Sequence, residues 1–221
     1  MRTLYHTWLN PFSRKVRVAL KEKGLDFALR VENEWERREA FLALNPAGEV
    51  PVLDDDGLIV ADSGAICEYL EETYPEPRLI GADAVVRAEV RRLVAWFDIK
   101  FQAEVTSHLI SEKVLKRFLG LGSPDSSAIR AAQTNLDYHL DYIAYLADRR
   151  KWLGGDRFSL ADIAAAAHLS VADYLGDVTW QSSEPAKDWY ARVKSRPSFR
   201  PLLTDYIPGA PPPNHYADLD F

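Results

Sequence analysis

The stretch Glu49–Tyr74, "EVPVLDDDGLIVADSGAICEYLEETY", decides the fold. Val50–Leu53 reads as a strand, Asp54–Gly57 as a turn and Leu58–Ala61 as a second strand, which together make a hairpin. Asp62–Tyr74 follows as a helix with Ile66, Tyr69 and Leu70 facing inward. Upstream, "TLYHTW" (Thr3–Trp8) reads as a strand and Asn10–Lys23 as a helix. That helix sets Val16, Ala19 and Leu20 on its apolar face and has Gly24 as its stop. "FALRV" (Phe27–Val31) is a further strand, and Trp35–Leu44 reads as a helix ending before Asn45-Pro46. After Tyr74–Gly81 no convincing strand occurs. Helical patterns run from Ala82 to about Leu119, from Ser126 to about Arg149, over Ser159–Leu175 and over Glu184–Ser195. An α/β unit followed by an all-helical unit is a specific architecture. We divide the chain into 1–78, 83–206 and a final segment, 207–221, that reads as neither helix nor strand.

Composition removes several classes of function. With 47% apolar residues among 221, the chain is a globular protein with room for real cores. The charge of −6, from 27 basic and 33 acidic residues, argues against nucleic acid as a partner. No apolar run is long enough for a membrane span, and no apolar leader opens the sequence, so the expected compartment is the cytoplasm. The single cysteine, Cys67, rules out an internal disulfide framework and reads as a buried structural thiol. No two of the five histidines share an i,i+4 helical face, so no metal is expected. Walker A, G-x-G-x-x-G and G-x-S-x-G patterns are missing.

Four stretches, in order and correctly spaced, resemble cytosolic glutathione S-transferases: "NPFSRKVRVALKEKG", "NPAGEVPVLDDDG", "DSGAICEYLEETYPEP" and "FSLADIAAAAHL". The resemblance covers about residues 1–200 and implies a thioredoxin-like α/β domain followed by an all-α domain. It implies a glutathione-type cleft built from Phe12, Glu49, Val50, Pro51, Asp62 and Ser63. Pro51 resembles the family's cis-proline, which lets Val50 present its backbone N–H and C=O to an extended peptide. Ser63 and Asp62 stand at a helix N-terminus, where they suit the carboxylate and ammonium of a γ-glutamyl group. Ordinary helix capping is the competing reading of that pair. "SLAD" (Ser159–Asp162) reads as a structural capping box.

The family lowers the pKa of a bound thiol, usually through a hydroxyl. In members with an S-P-F or C-P-F motif the active residue directly precedes the proline, and here that residue is Asn10. Asparagine is a favoured N-cap, proline is favoured at N1, and an amide is no nucleophile. Ser13 is the other catalytic candidate, with its hydroxyl pointing to solvent or back to the cap. Tyr5 faces either core or cleft. Glu49 replaces a lysine that meets the glycine carboxylate in many members, a swap expected to cost about 1–2 kcal/mol, or up to about 30-fold in affinity. Chemistry at the cleft is therefore expected to be weak or absent. Glutathione is at most a weak ligand, and no cofactor is required. The alternative is a glutathione-dependent transferase or isomerase using Ser13 or Asn10.

The final segment draws attention away from the cleft. Pro208–Pro213 favours an extended polyproline II chain. It is followed by "NHYADLDF", where Tyr216, Leu219 and Phe221 alternate with Asp218 and Asp220. That pattern suits docking onto a basic, apolar groove of a partner, or packing back onto the chain itself. Together with N-P-F-S at the first helix, this ending is similar to the FtsZ-binding, glutathione-transferase-like division proteins of alphaproteobacteria. That resemblance implies a homodimer that binds polymers of the tubulin-like FtsZ at the division site, with little chemistry. The dimer would form across the third helix and the first long helix of the second domain. Trp35 reads as a cleft or interface residue, and Trp96, Phe97 and Phe101 as core or pocket residues.

Overall fold

Strand Thr3–His6 (β1) has Leu4, Tyr5 and His6 all buried, as expected of a strand covered on both faces. In this computed structural model, which describes residues 1–221, β1 is central in a four-stranded sheet ordered β2-β1-β3-β4. Ala28–Val31 (β2) pairs with it in parallel and is the exposed edge. Val52–Asp55 (β3) pairs antiparallel on its other side, with Tyr5 opposite Val52, and Leu58–Ala61 (β4) closes the hairpin. Helices Pro11–Glu22 (α1) and Ser63–Thr73 (α3) pack against this sheet. Val16, Leu20, Leu53, Ile66 and Leu70 are wholly excluded from water in that layer. Tyr69 departs from the sequence expectation: it is half-buried, and its hydroxyl donates to Asp55 Oδ2 at 2.9 Å.

The helix expected over Trp35–Leu44 is broken. Glu34–Glu36 forms one 3-10 turn, Arg37 takes a left-handed conformation (φ 46°), and only Glu39–Leu42 (α2) is α-helical. Side chains hold the break in place. Arg38 pairs with the buried carboxylate of Glu32, and Asn33 Nδ2 donates to Glu36 at 2.6 Å. Gly48 (φ 72°) lies so close to Arg37 that a Cβ there would meet its guanidinium at 2.8 Å.

The chain folds as two units, Met1–Leu79 and Ile80–Phe221. The second unit begins with a continuous helical run, 84–118 (α4), whose winding alternates. Ala84–Ala95 is α-helical, Trp96–Thr106 is π-wound, and α and π turns alternate again to Phe118. Leu93, Phe97, Phe101, Val105 and Leu109 are all fully buried at a strict spacing of four. Such a row drifts around an α-helix of about 3.6 residues per turn. The wider π winding takes up the drift and keeps the row on one face. Phe97 and Phe101 are therefore core, whereas Trp96 is half-buried and donates its ring N–H to His139 Nδ1 at 3.1 Å.

Ser126–Arg149 (α5), Leu160–Tyr174 (α6) and Glu184–Lys194 (α7) complete the helical unit. Every residue of α6 is buried, which makes it the central helix. Its Ser159–Asp162 capping box is formed, and the buried Asp162 carboxylate also accepts from Leu153 N–H (2.8 Å) and Trp189 Nε1 (2.9 Å). Cys67 is buried in α3. No helix is long and apolar enough to cross a membrane.

Candidate functional site

The first unit contains a cleft of about 410 Å³ between the start of α1, the 45–51 loop and the β4–α3 corner. Phe12, Glu49, Val50, Pro51, Asp62 and Ser63 all line it. Local chemistry places each of them. Asn45 ties the loop, its Nδ2 donating to the Glu49 carbonyl at 2.8 Å and its Oδ1 accepting from Ala47 N–H at 3.2 Å. The Val50–Pro51 bond is cis, as is Glu76–Pro77. Asp62 caps α3, one oxygen accepting from Gly64 N–H (2.6 Å) and Ala65 N–H (3.3 Å). It does so at φ 71°, a backbone region that costs a non-glycine residue about 1–3 kcal/mol. Ser63 is 4% exposed, lines the cleft, and has a hydroxyl that no group of the chain engages.

The catalytic candidates fare differently. Asn10 is the N-cap of α1, its Oδ1 accepting from Ser13 N–H at 2.8 Å. This oxygen satisfies one of the orphan donors of the first turn. Ser13 does not point to solvent or back to the cap. It is 0% exposed, and its Oγ is buried without a hydrogen-bond partner. The short side chain at N3 is carried inward with the Val16 and Leu20 face of α1, so it does not line the cleft. Tyr5 belongs to the core with Phe41, Val50 and Val52. Trp35 is exposed.

Glu34 was not among the residues singled out from the sequence. Its Oε1 accepts the Val50 N–H at 2.9 Å, so the donor expected to meet a peptide is held by the chain itself. Burial pushes the Glu34 carboxyl above the usual glutamate range, the Val50 N–H opposes that shift, and nearby Glu49 adds to it. The lining carries two carboxylates, Glu49 and Asp62, and no lysine or arginine. The pairing joins residues sixteen apart through a broken helix, which no local pattern announces. No group of three or more His, Cys, Asp or Glu side chains forms a metal site.

The second unit contains a groove filled by the final segment. Residues 207–221 form a short bridge (Ile207 with Ala210), an extended Pro stretch and a 3-10 turn, Asn214–Ala217. Tyr216, read from the sequence as a partner contact, is instead wholly buried. Its hydroxyl donates to the Leu202 carbonyl at 3.2 Å and its ring meets Tyr174 edge-on at 5.1 Å. An aromatic body that finds an apolar slot on its own domain gains more there than on the surface. Phe221 is half-buried, edge-on to Trp180 (4.7 Å) and under the Lys194 ammonium (3.9 Å). Leu219 is half-buried, and Asp218 and Asp220 remain exposed.

Beneath the tail, Lys194 and Asp173 are both fully buried, 3.9 Å apart. Burial pushes the Asp173 carboxyl up, against the pull of Lys194, and pushes the Lys194 ammonium down. His215 of the tail reaches Asp173 Oδ1 at 3.1 Å, and Trp180 Nε1 donates to the same oxygen at 2.9 Å. The sequence offers no sign of this anchor, because its members come from α6, the 3-10 turn Trp180–Ser182, α7 and the tail.

The model of the glutathione S-transferase N-terminal domain matches residues 4–78, and that of the C-terminal domain matches residues 126–192. The chain is 50% identical to FtsZ-localized protein A of Caulobacter vibrioides, over 100% of this chain and 98% of that one. Among solved structures, a glutathione S-transferase from Rhodospirillum rubrum F11 superposes with a TM-score of 0.98 at 61% identity, both chains being fully covered. FzlA from C. crescentus superposes with a TM-score of 0.96 at 50% identity, covering 100% of this chain and 99% of the other.

Proposed function

The chain belongs to the glutathione S-transferase family, and we propose that it is a non-catalytic adaptor that binds FtsZ polymers and supports bacterial cell division and constriction. The observation that carries the partner is the full-length match to a protein named for its localisation with FtsZ. The cleft supports the absence of chemistry. Asn10 stands where a hydroxyl or thiol would precede Pro11, Ser13 is sealed in the core, and Val50 N–H is occupied. The adaptor requires no cofactor, binds no nucleic acid and works in the cytoplasm at the division site as a homodimer. Val85 and Val86 at the start of α4 are exposed apolar residues suited to such an interface.

We place the partner-facing surface of the tail at Asp218, Asp220 and the outer edges of Leu219 and Phe221, with Tyr216 as its anchor. The test is co-sedimentation with GTP-assembled FtsZ. The protein is expected to pellet with polymer, and Asp220→Lys, at an exposed side chain, is expected to pellet far less. A monodisperse, folded wild-type protein that stays in the supernatant would overturn the reading. Deleting the tail is the poorer experiment, because it also removes Tyr216 from the core.

One observation favours the alternative of a glutathione-dependent transferase or isomerase. Ser63 keeps a free hydroxyl in the cleft beside the Val50–Pro51 loop. Thiol conjugation lost in Asn10→Ala would establish that alternative.

A further inference from the structure

We propose that Glu34 is the residue that closes the cleft to thiol peptides, by holding with its own carboxylate the backbone donor that a ligand carbonyl would need. The inference rests on the reading of the cleft as non-catalytic and names the contact responsible.

Three observations carry it. The first is the contact itself, Val50 N–H donating to Glu34 Oε1 at 2.9 Å, with Val50 5% exposed. The second is that the contact is built in. The 32–38 segment is buckled over the loop by the Glu32–Arg38 pair, the Asn33–Glu36 bond and the left-handed Arg37, whose guanidinium lies against Gly48. Glu34 is thus delivered to Val50 by a fixed turn rather than by a free side chain. The third is that the rest of the cleft is not filled in, because Ser63 still presents an unengaged hydroxyl to it.

The competition then runs against a peptide. A hydrogen bond to a carboxylate is roughly twice as strong as one to a neutral carbonyl. An incoming peptide must therefore replace the stronger acceptor with the weaker one. Glutathione brings two further carboxylates into a lining with no cation. The ligand class excluded is an anionic peptide that needs the Val50 donor.

Calorimetry with reduced glutathione tests this on the full chain and three variants. Wild type is expected to bind with a Kd above about 1 mM. Glu34→Ala, which frees the donor, is expected to bind at least about tenfold more tightly. Glu34→Asp keeps the charge but loses the reach, and is expected to gain affinity as well. Glu34→Gln keeps the reach without the charge, and is expected to stay within about threefold of wild type. Micromolar binding by wild type would overturn the proposal. So would folded Ala and Asp variants that match wild type within about twofold, or a Gln variant that gains as much as Ala. Should Glu34→Ala not fold, Glu34→Asp decides alone. Pelleting with FtsZ, run on the same proteins, separates this proposal from the adaptor reading. Variants that gain glutathione and still pellet support both, and a wild type that neither pellets nor binds glutathione sinks only the adaptor.

Discussion

At the cleft a single carboxylate covers a single N–H, while at the tail groove two pairs of rings, Tyr174 with Tyr216 and Trp180 with Phe221, pack together beside a buried ammonium. In both places the chain occupies ground that a ligand or partner would otherwise take, but the energetic scale differs. The cleft contact is one polar exchange, worth about 1–3 kcal/mol because one partner is charged. The tail buries the whole Tyr216 ring and part of Phe221, and the loss of a fully buried ring costs several kcal/mol. The difference teaches that the contact at the cleft is easily altered, whereas the tail is part of the second unit's structure.

The sharpest way to break that comparison is Tyr216→Ala. It removes a fully buried ring and its bond to the Leu202 carbonyl, and is expected to cost about 3–5 kcal/mol in urea unfolding. A loss under 1 kcal/mol, read as a small midpoint change, would mean that the tail is only an ornament on the second unit.

Next in size is a pH effect that belongs to the first unit. His6 is 0% exposed, and its ring meets Trp8 edge-on at 4.6 Å. Burial, then the Arg17 guanidinium, lowers its pKa from 6.5 to about 4. The unfolded chain therefore binds the extra proton first, and stability is lost as pH falls from about 6.5 to about 4, by about 3 kcal/mol in all. His6→Phe is expected to flatten that stretch of the stability curve. A curve unchanged by the substitution would assign the slope to other groups.

Asn10→Ala tests whether the start of α1 is only a cap. Loss of the Ser13 N–H acceptor should cost about 1 kcal/mol and leave FtsZ pelleting as in wild type. The smallest effect is expected from Glu49→Lys. The Glu49 side chain is exposed, so screening reduces the gain in glutathione affinity to about fivefold, less than the sequence comparison suggests. A larger gain than that from Glu34→Ala would shift the lock from the occupied donor to the charge of the rim.

Much of the fold was legible because its signals are local. The hairpin around Asp54–Gly57, the Asn10-Pro11 helix start and the Ser159–Asp162 box each fix their element within a few residues. The six cleft residues came from the resemblance to the family and not from a local signal, since helix capping alone explains Asp62 and Ser63 equally well. The Glu34–Val50 contact was not, because it depends on a helix that breaks at Arg37 and a loop sixteen residues away. The winding of α4 was also hidden, since a row of apolar residues four apart does not announce π turns. The tail pattern was seen, but alternating aromatic and acidic residues look alike whether their groove is on a partner or at home. Tyr216 chose home because Tyr174 and Leu202 leave it a slot with a carbonyl at its end.

The lysine beneath Phe221 has one more consequence. Lys194 is 0% exposed while the tail is seated, and its ammonium gives up a proton more readily than an ordinary lysine. An amine hidden by a short terminal segment is a footprint waiting to be read. Brief acylation followed by peptide mass mapping would leave Lys194 unmodified as long as the tail stays down. Any encounter that lifts the tail would open this amine to the reagent, and its modification would time the event without a label attached to the protein.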